Sequence, residues 1–141
     1  MNTESKKKLV IRHAYPFTVE EVFDAWIVPA TARKWLFATP TGELIRVDID
    51  ARVGGKWTIT RRDGEDIDHV GEYLGVDRPR RLVFSFGVPR FSDEMTIVKL
   101  DIVPTTDGCE LTLTHEDVLP DWADQTEQGW SMLLEGLGAA V

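Results

Sequence analysis

Imidazole is the side chain best suited to moving protons near neutral pH, and this chain has three, His13, His69 and His115. They fall on separate predicted strands without paired ligand spacing, and no His-Glu-x-x-His helix occurs, so no metal site is expected. A chelator should therefore leave the melting temperature unchanged, and a drop restored by zinc would overturn this reading. Cys109 has no neighbouring base and no Ser-His-Asp arrangement is visible, which leaves covalent catalysis without support. His115 shares an alternating face with Leu111 and Leu113, so its ring can enter an interior as a hydrogen-bond partner or a general acid-base group. A core histidine with its bonds satisfied is the plainer alternative. His69 and Tyr73 share a face if no bulge intervenes, and Tyr73 then offers a hydroxyl to the same interior, with Arg61 as a further polar group.

Large aromatic side chains stand on the faces that should meet the last helix. Trp26 and Trp35 come from short helices, Trp57, Phe84 and Phe86 from strands, and Trp130 from the helix itself. Ile59, Tyr73, Val98, Leu113, His115 and Leu134 accompany them on the same inward faces. Pockets are lined mainly by apolar groups with a few fixed polar ones, so these twelve residues are the expected lining of an internal cavity. Buried aromatics also stabilise an ordinary core. Five tryptophans among 141 residues exceed what a core of this size commonly uses, which keeps both readings open.

The elements that carry these residues are readable from periodicity. Lys8 to His13 reads as a first strand, stopped by Pro16. Thr18 and Glu21 form a capping-box pattern for a short helix with Val22, Phe23 and Trp26 on one face; Pro29 ends it, and Ala30 to Leu36 reads as a second helical piece. From Glu43 the period becomes two. Ile45, Val47 and Ile49 are expected on one face, then Trp57 with Ile59, then His69 to Val76. Leu82, Phe84, Phe86 and Val88 alternate next, followed by Thr96, Val98, Leu100 and Ile102, and by Cys109 to His115. Six strands joined by hairpin turns, with helices only near the ends, imply an antiparallel meander. After Pro120, the stripe Trp130, Leu133, Leu134 and Leu137 predicts an amphipathic helix that must lie against the sheet. Asp121, Asp124 and Glu127 are read as charge complementing its N-terminal dipole.

Composition narrows the function classes. The length suits one domain, 1–141, with a core that needs neither metal nor disulfide. A net charge of −8 opposes nucleic acid as a partner, since phosphate neutralisation supplies most non-specific affinity. No apolar run reaches the ~20 residues needed to span a bilayer, so membrane insertion is not expected. The segment Met1 to Lys8 has no apolar stretch after its lysines, and a lone Cys109 fits a reducing compartment, so a cytoplasmic location is expected.

Four local motifs occur in order along nearly the whole chain. They are Val53-Gly54-Gly55-Lys56-Trp57; Gly71 to Val76 leading into Pro79 to Phe84; Leu111-Thr112-Leu113-Thr114-His115; and Gly129-Trp130 with Leu133, Leu134 and Leu137. With the element order, they resemble the activator of heat-shock-protein-ninety ATPase homologue family, within the helix-grip superfamily of START domains, birch-pollen-type allergens and polyketide cyclases. Gly75 departs from the resemblance, standing where relatives are often acidic. The resemblance implies an α+β helix-grip fold of about seven strands wrapped around a long C-terminal helix. It also implies a small hydrophobic or aromatic ligand in the hollow between them, with few shared catalytic residues; no cofactor is expected. Three functions follow as expectations: a binding protein for such a molecule; a cyclase- or hydratase-like enzyme using His115, Tyr73 or Arg61; and an interaction module whose partner is a chaperone or a second copy of the chain. A closed apolar cavity favours the first, converging polar groups the second, and no cavity the third.

Overall fold

The computed structural model describes residues 6–141. Met1–Ser5, used above in the reading of location, lie outside the described residues. In chain order the elements are β1 (Lys7–Tyr15), α1 (Val19–Ile27), α2 (Pro29–Ala32), β2 (Glu43–Ile49), β3 (Lys56–Asp63), β4 (Glu65–Asp77), β5 (Arg81–Phe86), β6 (Thr96–Thr105), β7 (Gly108–Val118) and α3 (Ala123–Ala140). A single 3-10 turn, Pro120–Trp122, precedes α3. The strands form one curved, open antiparallel sheet in the order β1-β7-β6-β5-β4-β3-β2, the expected meander with β1 added beyond its last strand.

Alternation decides which side chains meet. Phe84, Val98, His115 and Leu9 stand opposite one another across β5, β6, β7 and β1, and Leu82, Leu100, Leu113 and Ile11 form the next row. These rows make the inner face of the sheet, and α3 covers it with Trp130, Leu134 and Leu137, all buried. The Tyr15 hydroxyl donates to the Leu134 carbonyl over 2.7 Å, fixing the height of the helix above β1. At α1 the capping box is complete: the Thr18 hydroxyl accepts from the Glu21 N–H at 3.1 Å, and the Thr18 N–H donates to the Glu21 carboxylate at 3.0 Å.

Two glycines of the motifs are explained by close approach. A Cβ at Gly71 would sit 1.9 Å from the Ser85 carbonyl oxygen and 2.5 Å from Trp57 Nε1, so only glycine lets the indole and β5 approach β4 this closely. At Gly55 a Cβ would sit 2.0 Å from the Asp50 carbonyl oxygen.

Several local expectations are corrected. A bulge in β2 between Leu44 and Arg46 flips the register, so Leu44 packs against the core while Ile45 is exposed; strict alternation had put Ile45 inside. The second helical piece is one turn, Pro29–Ala32, after which the chain turns through Arg33–Phe37. Strand β5 stops at Phe86, and Val88 belongs to the connection that follows. Of the three acids assigned to the start of the last helix, only Asp124 lies in its first turn.

Candidate functional site

One end of the space between α3 and the sheet is not filled by side chains. A cavity of about 410 Å³ opens there, bounded by Thr126, Gly129, Trp130 and Leu133 of α3, by the β5–β6 connection from Gly87 to Glu94, and by the β7 end from His115 to Leu119. Phe37 and His69 form its inner wall. This volume lies within the ~300–1,000 Å³ typical of small-molecule sites. Phe91 and Trp122 stand at the mouth, both more than half exposed.

Phe37 is the centre of the wall. Its ring stacks on His69 at 4.5 Å, on Phe86 at 5.4 Å and on Trp57 at 5.7 Å, and it meets Trp130 at 5.7 Å. The backbone of this bulky residue is left-handed, φ 59°, a conformation that costs of order 1–3 kcal/mol and persists only where the surroundings over-determine it. Arg61 supplies part of that constraint by donating from Nη1 to the Phe37 carbonyl at 3.1 Å. Arg61 is thus tied to the backbone behind the wall and does not line the cavity.

Hydrogen bonds define the state of both buried imidazoles. Trp130 Nε1–H donates to His115 Nδ1 at 3.0 Å, and indole nitrogen only donates, so Nδ1 carries a lone pair. The proton of the neutral ring is therefore on Nε2, 2.7 Å from the Thr96 hydroxyl, which in turn donates to the Phe86 carbonyl at 3.2 Å. Every polar atom in that chain is satisfied, and burial pushes the His115 pKa down to about 4. His69 is the opposite tautomer. Its Nδ1 donates to the Ile59 carbonyl at 3.1 Å, so Nε2 holds the lone pair, and burial likewise pushes its pKa down to about 4.

Among the twelve expected lining residues, Phe86, His115 and Trp130 border this cavity. Trp26, Trp57, Ile59, Tyr73 and Phe84 instead surround a void of about 10 Å³, too small for any organic ligand. Trp35, Val98, Leu113 and Leu134 are buried and border neither space. Trp35 packs edge-on against Trp26 at 4.7 Å and donates Nε1–H to the Ala25 carbonyl at 2.9 Å, the satisfied state of a core indole. Sequence reading missed Phe37, Phe91 and Trp122. The first follows a one-turn helix in a turn, Phe91 lies in a connection without periodicity and Trp122 ends the 3-10 turn before α3, although the apolar Trp35-Leu36-Phe37 run was a usable signal.

Other chemistry finds little purchase. Among the described residues no group of three or more histidine, cysteine or acidic side chains is placed to hold a metal ion. Burial raises the Cys109 thiol above its usual range, which disfavours the thiolate. Burial also raises the Tyr73 hydroxyl, keeping it a neutral phenol. No helix of the described residues is long and apolar enough to cross a membrane.

Solved structures share this architecture. A Chromobacterium violaceum protein superposes with a TM-score of 0.83 at 22% identity, covering 94% of this chain and 95% of its own. The solution structure of an AHSA1-like protein from Aeromonas hydrophila gives 0.83 at 22% identity over 96% and 92% of the two chains. A Staphylococcus aureus protein gives 0.84 at 15% identity, covering 96% and 93%. At these identities the likeness is one of fold. No curated protein matched this chain. The model of one family matches residues 16–141, from the end of β1 through α3, and the chain belongs to that family, the Activator of Hsp90 ATPase homolog 1-like proteins.

Proposed function

We propose that the protein binds a small hydrophobic or aromatic molecule in the cavity between α3 and the sheet. The observation that carries this reading is the cavity itself: about 410 Å³ between the helix and the sheet, walled by Phe37, Phe86, Trp130 and Leu133. A domain with no ligand to hold gains by closing such a space, because side chains that face a void lose their dispersion contacts. The fold supports the reading, since the family is one known for ligand binding.

Acid-base catalysis by His115 is less favoured, since both of its ring nitrogens are committed to Trp130 and Thr96 and a low pKa holds it neutral. It serves better as the strut that orients the Trp130 indole.

Gly129 offers a clean test. It borders the cavity, and a Cβ built there meets nothing within 4 Å. Gly129→Leu should fill the space from within the helix and weaken binding of an environment-sensitive apolar dye at least tenfold. Removing a helix-interior glycine should meanwhile raise stability by up to ~1 kcal/mol. Dye titration and denaturant midpoints on the same samples separate the two effects. Undiminished dye binding in a folded Gly129→Leu variant would place the ligand elsewhere.

A further inference from the structure

The charged groups of the cavity lining are of one sign, beside the Ser92 and Thr126 hydroxyls, which donate and accept, and the Trp122 indole N–H at the mouth, which donates. His69 is 6% exposed, its Nδ1 is spent on the Ile59 carbonyl, and its Nε2 lone pair has no partner among the described residues. Glu94 and Asp117 bring two carboxylates to the lining, and no lysine or arginine lies there. Asp117, which is exposed, forms no ion pair among the described residues, and Glu94 has only Lys6 at 3.9 Å, the Lys6 and Glu94 side chains both about half exposed. Such an exposed contact is worth little. The remaining wall is aromatic: Phe37, Phe86 and Trp130 inside, Phe91 and Trp122 at the mouth. Ring faces are negative and attract cations within about 6 Å. The chain as a whole carries −8, which raises the local concentration of positive solutes.

A bulge in β7 places Asp117 at the cavity's edge. Between His115 and Val118 strand β7 has an extra residue relative to β1, since Leu9 faces His115 while Lys7 faces Val118. Asp117 sits in that bulge with φ 66°, a left-handed conformation that Asp and Asn tolerate better than other side chains. The bulge turns a strand residue out of the ladder at the cavity's edge.

We propose, building on the binding reading above, that the cavity selects hydrophobic or aromatic molecules carrying a protonated amine: the apolar body lies between the rings, and the ammonium meets the two carboxylates, the His69 lone pair and aromatic faces. A carboxylate on the ligand would face Glu94 and Asp117 with only the half-exposed Lys6 beside the first, so acids are disfavoured. A neutral alcohol satisfies His69 Nε2 but gains nothing from the two carboxylates.

Three probes of equal aromatic body separate these cases by calorimetry or tryptophan quenching: naphthylmethylamine, naphthylmethanol and naphthoate. The amine should bind about tenfold tighter than the alcohol and the carboxylate weakest, with the amine's advantage shrinking in high salt. In the double variant Asp117→Asn, Glu94→Gln, whose melting temperature reports its folding, the affinities of amine and alcohol should converge. Asn suits the left-handed position, so the change removes charge without straining the bulge. Equal binding of all three probes, or naphthoate binding tightest, would overturn the amine assignment and leave the binding reading standing. An amine preference that persists in the folded double variant would also overturn it. Failure of all three probes to bind would overturn both.

Discussion

Stability should fall as the pH is lowered from about 6.5 towards 4, by roughly 3 kcal/mol for each of the two buried imidazoles over the whole window. His69 and His115 are 6% and 2% exposed, and desolvation pushes both pKa values down to about 4. In the unfolded chain the same rings are hydrated and titrate near 6.5. Between those values the unfolded chain takes up two protons that the fold refuses. Each group's contribution is thus fully present above about 6.5 and lost as pH drops through the window. By pH 5, before ordinary carboxylates titrate, about 2 kcal/mol per ring should be gone. Desolvation is the common cause, since a proton on either ring would place a charge on a side chain almost shut off from water; at His115 a proton on Nδ1 would also set a new N–H against the Trp130 N–H that now donates to it. Urea midpoints at pH 7 and pH 5 measure the effect. His115→Gln should cost stability at pH 7 yet roughly halve the slope between the two. Identical midpoints for the unaltered protein would mean that the rings are not held neutral.

Leu134→Ala should cost about 2–5 kcal/mol, a large part of the ~5–15 kcal/mol that holds a domain together. Helix α3 cannot supply its own stability: its N-cap makes no side-chain hydrogen bond, and Gly129, Gly136 and Gly138 each weaken it by up to about 1 kcal/mol relative to alanine. What holds it is its buried face, in which Leu134 is fully enclosed and its carbonyl accepts from Tyr15. Glu135 is exposed one residue further on, and Glu135→Ala should stay within about 0.5 kcal/mol. Equal, mild effects of the two substitutions on the denaturant midpoint would mean that the helix does not grip the sheet. Loss of dye binding at Leu134 with little loss of stability would instead make it part of a ligand wall.

Whatever depended on neighbours close in the chain was legible from residue order alone. The Thr18–Glu21 capping box joins residues three apart, the alternation of β5, β6 and β7 repeats every two, and the α3 stripe recurs every three or four, so each pattern is complete within its own element. The meander followed from the turn signals between those strands, and the inward direction of His115 from Leu111 and Leu113 beside it.

The site was decided elsewhere. Trp57 and Trp130 look alike as inward tryptophans, but the first stacks into a filled core over Gly71 and the second borders open space. No spacing in the sequence encodes that difference. The β2 bulge that turns Ile45 outward, the β7 bulge that carries Asp117 to the cavity, and the left-handed turn at Phe37 each arise from matching one segment to a distant one. The tautomers of His69 and His115 depend on partners 10 and 15 residues away. Periodicity assigns a side chain to a face; whether that face meets packed atoms or a hollow is set by how two whole elements lie against each other, a long-range balance that no local pattern records.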